Sequence, residues 1–363
     1  MGNRKDPLGT LEIISEKMPG FYKNKRVFIT GHTGFKGTWL CRILLYAGAA
    51  ATGYALEPWR KSLFAQTGTA EDIHSITGDV RDREALVKAV QSARPDIVFH
   101  LAAQPLVRLS YLEPAATYET NVMGTMNILE AVRLTSSVKS FVNITTDKVY
   151  ENREWHWGYR ENENLCGHDP YSNSKSCSEL VTYSYRNSFF KDDNAAAIST
   201  ARSGNVIGGG DYAQDRIIPD CIRAAFNAGE EIVVRNPHSI RPYQHVLDCL
   251  FGYLLLAEKQ YSKKTIEGAY NFGPDEEGCV STGKLVELFC AAWGSGVSWR
   301  ASVENGPHEA NFLKLDSSKS KSVLGWKPHW DIKTAVEKTV EFVKARTGEQ
   351  KACVDRQIQE YFG

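Results

Sequence analysis

Val27-Phe-Ile-Thr-Gly-His-Thr-Gly-Phe-Lys-Gly-Thr38 is the stretch whose reading decides the fold. An apolar run, Val27 to Thr30, feeds into glycines at 31, 34 and 37. A helical pattern, Trp39 to Tyr46, follows and stops at Gly48. Strand, glycine turn and helix in that order describe a pocket for a dinucleotide. Gly31 lets the chain turn sharply, Gly34 has no side chain to block a pyrophosphate, and Gly37 lets the helix lie close on the sheet. The helix then turns its unpaired amides and dipole towards the phosphates. His32, Phe35 and Lys36 fill the other positions of the loop and are expected to line the same cradle, although the bulk of His32 and the charge of Lys36 leave the kind of dinucleotide open. A turn that merely needed glycine is the competing reading. The flanking strand and helix argue against it.

Lys plus Arg and Asp plus Glu both number 43 in 363 residues, so the formal net charge is zero. That balance supplies no long-range field for nucleic acid, and no polybasic tract marks an anionic membrane surface. The longest uncharged, apolar-leaning run, Ile43 to Leu56, is too short to cross a bilayer. The first residues mix both charges without a signal-peptide core, so a soluble cytoplasmic protein is expected. A hydrophobic fraction of 42% is ample for one elaborated domain or two. The eight cysteines (41, 166, 177, 221, 249, 279, 290 and 353) contain no C-x-x-C pair and read as buried thiols in a reducing compartment. The nine histidines form no H-x-x-x-H pair with a carboxylate partner, so no metal site is expected.

Outward from the glycine loop, strands and amphipathic helices alternate. Residues 1–24 are a polar arm, as a short helix or partly ordered. Strands are expected at Thr52–Leu56, Ile73–Val80, Ile97–Ala103, Phe141–Thr146 and Ala195–Thr200, with helices at Glu84–Arg94, Ala115–Leu134 and Ser172–Phe190. Nearly continuous apolar strands between helices imply an α/β fold, a Rossmann-type doubly wound parallel sheet covered on both faces. Ligands of such sheets lie beyond the carboxyl ends of the strands, here Gly31, Ala102 and Thr145 onward. Residues 25–207 form the dinucleotide-binding domain on this reading. From 208 the chain becomes richer in loops, with helices at Ile217–Ala228, Val246–Lys259, Thr282–Trp293 and Ile332–Ala345 and a strand at Glu231–Arg235. Residues 208–363 are therefore expected to be mainly a smaller substrate lobe, interleaved in part with the first domain.

Tyr171 and Lys175 are four apart at the start of an expected helix and so share a face. A phenol ionises near pH 10, and an adjacent ammonium lowers that value, making Tyr171 a usable base. An ordinary solvated Tyr and Lys is the plain alternative. Placement after a strand ending in Thr145-Thr146 favours catalysis. Glu57, about 20 residues past the last glycine, suits the ribose of NAD, whereas Arg60 and Lys61 could face a 2′-phosphate.

Gly31-x-x-Gly34-x-x-Gly37, Gly78-Asp79-Val80, Leu101-Ala102-Ala103, Asn121, Thr146 and Tyr171-x-x-x-Lys175 stand in the order found in extended short-chain dehydrogenases/reductases, which the chain resembles over roughly residues 25–330. The resemblance implies bound NAD, with Asp79 and Val80 at the adenine. It makes Tyr171 the acid/base, Lys175 its partner and ribose ligand, and Thr146 a hydrogen-bonding group for the oxidised hydroxyl. In Thr145-Thr-Asp-Lys-Val-Tyr150, Asp147 stands where sugar-nucleotide 4,6-dehydratases carry an Asp, and Lys148 where they usually carry a Glu. Together with Trp155-His-Trp-Gly-Tyr159, Arg202-Ser-Gly-Asn-Val-Ile-Gly-Gly-Gly-Asp211 and Arg241-Pro-Tyr243, this resembles the branch whose substrate is CDP-glucose. The resemblance implies that the sugar is oxidised at C4, loses its C5 proton and 6-hydroxyl, and is reduced again at C6. Two acid/base groups beyond the tyrosine are then needed. Asp147 would serve as an acid with a raised pKa, and Lys148 as a base lowered by burial and by Lys175. An electrostatic role for Lys148 is the alternative. The resemblance also places Arg241 and Asn205 at the substrate diphosphate, with Arg216, Arg235 and His308 as weaker candidates. Tyr150, Trp155, Trp157 and Tyr159 either cover the sugar or fill a core. The long helices at 115–134 and 172–190 pair across subunits in this family, which implies a homodimer or a dimer of dimers. A sugar-nucleotide 4-epimerase would have no use for the Asp-Lys pair, and a silent dinucleotide sensor no reason to keep Thr146, Tyr171 and Lys175.

Overall fold

The structure is a computed structural model that describes residues 18–227, 230–294, 296–302 and 312–363. Seven parallel strands make the central sheet. In chain order they and their helices are β1 (Arg26–Thr30), α1 (Phe35–Tyr46), β2 (Ala50–Ala55), β3 (His74–Thr77), α2 (Arg83–Ala93), β4 (Ile97–His100), α3 (Gly124–Arg133), β5 (Ser140–Ile144), α4 (Pro170–Phe189) and β6 (Ala197–Ser203). Then follow α5 (Ile217–Phe226), α6 (Val246–Ser262), β7 (Ala269–Phe272), α7 (Thr282–Trp293), α8 (Ile332–Lys344) and α9 (Gln350–Phe362). The sheet order is β7-β6-β5-β4-β1-β2-β3, with every pairing parallel. This is the doubly wound order, and it reverses direction between β1 and β4, where ligands bind.

Alternate strand residues feed two cores, as a period of two requires. Val27, Ile29, Ile97, Phe99, Val142 and Ile144 pack with α1, α6 and α9 on one face. Phe28, Val98, Phe141 and Ile198 pack with α2 and α3 on the other. A third core, with Ile218, Ile232, Val234, Leu285, Phe289 and Val336, builds the smaller lobe from α5, α7 and α8. Beyond residue 207 the chain thus divides its residues. Helices α6 and α9 and strand β7 complete the sheet and its layers, while α5, α7 and α8 form the lobe.

Several elements differ from expectation. Helix α1 begins at Phe35 rather than Trp39, so Lys36 and Gly37 lie in its first turn. The third strand is four residues, His74–Thr77, because Gly78 and Asp79 already turn away. The long helix after residue 114 contains a π turn over Glu119–Met123. Strand β7 and helices Val107–Leu112 and α9 were not expected. Of the eight cysteines, all free, Cys166 is exposed and only Cys41, Cys221, Cys249 and Cys353 are buried. No described helix is long and apolar enough to cross a membrane.

Candidate active site

The glycine loop turns tightly between the ends of β1 and β4. Gly31 has φ +74°, and a Cβ on it would lie 2.7 Å from the Ala102 nitrogen. The ends of β1 and β4 therefore meet with no room for a side chain. Leu101 and Ala102 are held there by bonds from their amides to the Thr30 carbonyl (3.1 Å) and hydroxyl (3.2 Å). A Cβ on Gly37 would lie 2.2 Å from the Gly31 carbonyl oxygen, so only glycine lets the first turn of α1 close over the loop. Gly34 precedes α1 without a side-chain cap, leaving the helix's first amides free to bind an anion. The loop is thus shaped for a pyrophosphate. Glu57, bonded by the Thr77 hydroxyl at 3.0 Å, stands beyond β2, and the Thr33 hydroxyl bonds the Leu56 carbonyl at 3.1 Å. This places a carboxylate next to the loop, where a ribose diol needs an acceptor. Val80 is buried and its carbonyl accepts from Asn127 at 2.9 Å. Asp79 is gripped by Arg81, whose guanidinium holds its carboxyl below the usual range.

Two loop residues depart from a cofactor-lining role. The His32 ring is fully buried over Gly53, its Nε2 2.7 Å from the Ser75 hydroxyl, and burial lowers its pKa to about 4. It packs against β2 and β3 because Gly53 leaves room for it, so its side chain does not line the cradle. The Lys36 amine reaches inward instead, to Ser203 at 3.1 Å and Tyr253 at 3.5 Å, and burial lowers its pKa. Phe35 is partly buried beside Gly208.

The chemical groups gather where β5 ends and α4 begins. Thr146 caps a 3₁₀ turn, Asp147–Val149, and its hydroxyl donates to Asp147 Oδ1 at 3.0 Å. Asp169 caps α4, with Pro170 in its first turn, and the Tyr171 amide bonds Ser110 at 3.1 Å. Tyr171 lies within hydrogen-bonding reach of Thr146, and one helical turn on the Lys175 amine donates to the Ile144 carbonyl at 3.1 Å. Contrary to expectation, the Tyr171 phenol is pushed up to about 12 by burial, against which Thr146 and the charge of Arg216 act. The Lys175 amine is occupied at the strand end, and burial brings its pKa down to about 8, with Lys36 adding to the fall.

Asp147 is wholly buried, and its Oδ2 has no hydrogen-bond partner among the described residues. Gly204 lies directly over it: a Cβ there would sit 3.1 Å from that oxygen and 2.5 Å from Pro242 Cγ. Lys148 Nζ stands 3.4 Å from Asp147 Oδ1 with its side chain 34% exposed, less enclosed than expected. The candidate substrate residues lie on the lobe side. Arg241 is buried on the short strand Ile240–Pro242, and its Nη1 bonds the Ile240 carbonyl at 2.9 Å. The Asn205 side chain is in reach of Tyr243. Arg216, at the start of α5, is tied to Asp211 at 2.9 Å, and Arg235 to Asp215 at 3.6 Å. The structure brings Arg216 near Tyr171 but binds Arg235 at the lobe surface. His308 lies outside the described residues. The aromatic group divides: Tyr150 and Tyr159 are buried and stacked at 5.2 Å, Trp155 stacks on Tyr159 at 5.6 Å, and Trp157 is 58% exposed. Sequence reading missed the buried Glu179 and its bonds to Thr145, Thr200 and Arg202. A carboxylate eight residues after Tyr171, on the same helix face, was the available signal.

A doubly wound sheet with a glycine cradle at its switch point and Thr, Tyr and Lys at the neighbouring strand end defines a short-chain dehydrogenase/reductase. More narrowly, the chain belongs to the family described as GDP-mannose 4,6 dehydratase, whose pattern matches residues 28–339. It is 48% identical over 350 residues to the CDP-glucose 4,6-dehydratase of Salmonella typhimurium, covering 94% of this chain and 97% of that one. To the dTDP-glucose 4,6-dehydratase of Streptomyces antibioticus it is 27% identical, covering 88% and 92%. Among solved structures, Bacillus cereus UDP-glucuronic acid 4-epimerase shares the fold with a TM-score of 0.76 at 22% identity, covering 88% of this chain and 98% of that one. Bacillus anthracis dTDP-glucose 4,6-dehydratase does so at 0.72 and 19%, covering 87% and 95%.

Proposed function

We propose that this chain converts CDP-glucose to CDP-4-dehydro-6-deoxyglucose by oxidation, dehydration and re-reduction of one bound sugar. The observation that carries the reading is the Asp147–Lys148 pair, set at the end of β5 beside Thr146 and Tyr171. The likeness to the Salmonella typhimurium enzyme over nearly the full length of both chains supports the same reading. The glycine cradle suits NAD: Gly31, Gly34 and Gly37 and the first amides of α1 would hold its pyrophosphate, Glu57 its adenosine ribose, and Asp79 and Val80 its adenine. When bound, NAD would supply reversible hydride transfer between C4 and C6 of the sugar.

The chain's own residues manage the protons. Tyr171 takes the proton of the 4-hydroxyl, with Thr146 orienting that oxygen and Lys175 balancing the phenolate. The 4-ketone acidifies C5–H. Lys148 as a neutral amine removes that proton, Asp147 as a neutral acid protonates the departing 6-hydroxyl, and the Lys148 ammonium, after exchange with solvent, returns a proton to C5 as C6 is reduced. One proton moved from Lys148 Nζ to Asp147 Oδ1, across their 3.4 Å contact, turns an ion pair into this acid and base without any change of total charge. Asn205, Arg216 and Arg241 hold the diphosphate, so that binding energy far from C4 orients the sugar. The exposed Trp157, at the end of its stacked ladder, covers the sugar side, and Tyr150 and Tyr159 anchor it.

A homodimer fits the outer helices. Met123, Leu180, Tyr183 and Phe189 are exposed on α4 and on the π turn ahead of α3, and a second copy would cover them. The function is tested by incubating the protein and NAD with CDP-, dTDP-, GDP- and UDP-glucose in deuterium oxide. The expected product is the 4-keto, 6-deoxy sugar from CDP-glucose, with deuterium at C5. A product still hydroxylated at C6, or turnover confined to another nucleotide, would overturn it.

A further inference from the structure

Helix α4 carries a third ionisable group on the face of Tyr171 and Lys175. Glu179 follows Lys175 by one turn, and Arg202 on β6 closes on it. Both side chains are 3% exposed. Each carboxylate oxygen is taken twice. Oε1 accepts from the Thr145 hydroxyl at 2.5 Å and Arg202 Nε at 2.9 Å, and Oε2 from the Thr200 hydroxyl at 2.7 Å and Arg202 Nη2 at 2.9 Å. Arg202 Nη1 goes on to the Tyr150 hydroxyl at 2.7 Å and the Glu161 carbonyl at 3.1 Å. One ion pair therefore joins α4, the end of β5, β6 and the aromatic segment after Lys148.

We propose that Glu179 and Arg202 are positioning residues of the active site: they fix α4 against the strand end bearing Thr146, and Glu179 sets a permanent negative charge one turn from Lys175. The inference rests on reading Lys175 as the partner of Tyr171. Stability alone is a poor reason for such a pair, since a buried ion pair gains little over well-packed apolar residues. The charges facing Lys175 are Glu179 on its own helix, Lys36 from α1 and neutral His100 on β4. Burial and Lys36 drive the ammonium towards deprotonation, and Glu179 opposes both. Removing the negative charge therefore leaves Lys175 neutral at a lower pH, where it no longer balances a phenolate.

The test follows Lys175 directly and through turnover. Protein labelled with ¹³C-lysine is titrated without substrate, the Lys175 signal being assigned with Lys175→Met, and kcat for CDP-glucose is measured across pH. In Glu179→Gln the Lys175 midpoint should fall by about one pH unit, and the alkaline limb of kcat should fall with it while KM stays within twofold. Glu179→Asp, which keeps the charge, should restore both midpoints. Where Glu179→Gln does not fold, Glu179→Gln with Arg202→Met removes the stranded guanidinium, and its Lys175 midpoint should still lie below that of the unaltered protein. An unmoved midpoint in the folded variant, or equal losses in the Gln and Asp variants at every pH, would overturn the proposal. If the unaltered protein makes no 4-keto product, the functional reading fails, and the lysine titration still decides this one.

Discussion

Lys148 and Asp147 have one proton between them on the proposed pathway, and each needs it at a different moment. Lys148→Ala removes the base at C5 but leaves Tyr171, Thr146 and Lys175 in place, so C4 oxidation should persist. Reduced cofactor should then accumulate at 340 nm in a single turnover with CDP-glucose, while loss of water slows by about 10²- to 10⁴-fold. Dehydration at the normal rate would remove Lys148 from the proton path. Thr146, Tyr171 and Lys175 were legible in the sequence because they follow from spacing on one helix and from a strand end. His32 was not, because the cavity that receives its ring is made by Gly53 on another strand. Tyr171 went astray in its energetics: its spacing from Lys175 suggested a lowered pKa, and only the folded chain reveals that burial raises it, against the opposing effects of Thr146 and Arg216. Glu179 was hidden for a similar reason, its four donors coming from the residue just after β5 and from β6.

At the scale of elements, the β1–α1 turn is where sequence and packing agree most closely. Its three glycines answer to separate demands, and Gly37 has the least freedom. In Gly37→Ala the new methyl would meet the Gly31 carbonyl at 2.2 Å, so α1 must move away from the loop that its amides serve. The expected result is at least tenfold weaker NAD binding by tryptophan-fluorescence quenching, with a stability loss of roughly 1–3 kcal/mol in urea. Gly34→Ala is the useful contrast, since a Cβ there would meet only the Gly31 oxygen, at 3.4 Å. It should keep the stability and lose affinity alone. Elements missed in the sequence lack such local signals. Strand β7 is four residues long and gains its identity from pairing with β6, and the apolar residues of α9 are diluted by charged and amide side chains. The π turn at Glu119–Met123 keeps a helical pattern throughout and leaves no mark on periodicity.

At the scale of the whole molecule, two faces remain to be accounted for: the outer side of α4, and the seam where the chain's end returns to the sheet. If a second copy covers the first, Leu180→Glu with Tyr183→Glu should convert a dimer to monomer in analytical ultracentrifugation, since both residues are exposed and burying carboxylates there is costly. A dimer that survives both changes would place the interface elsewhere. The seam is held by Asp248 on α6. Its Oδ1 accepts from the His329 amide at 2.7 Å and the Tyr361 hydroxyl at 2.6 Å, tying α9 and the segment before α8 to the sheet's layer. Its Oδ2 is buried with no hydrogen-bond partner among the described residues, and burial raises the carboxyl from 3.8 to about 6. An acid whose folded pKa lies above its unfolded one binds more protons when folded. Its contribution to stability is therefore fully present below about pH 4 and lost as pH rises through 6. The shift corresponds to roughly 2–3 kcal/mol. Asp248→Asn cannot ionise, so its stability relative to the unaltered protein should rise by about that amount between pH 4 and pH 7 in urea unfolding. Parallel curves over that range would mean that Asp248 stays in one protonation state, and that the closure of α9 carries no penalty at neutral pH.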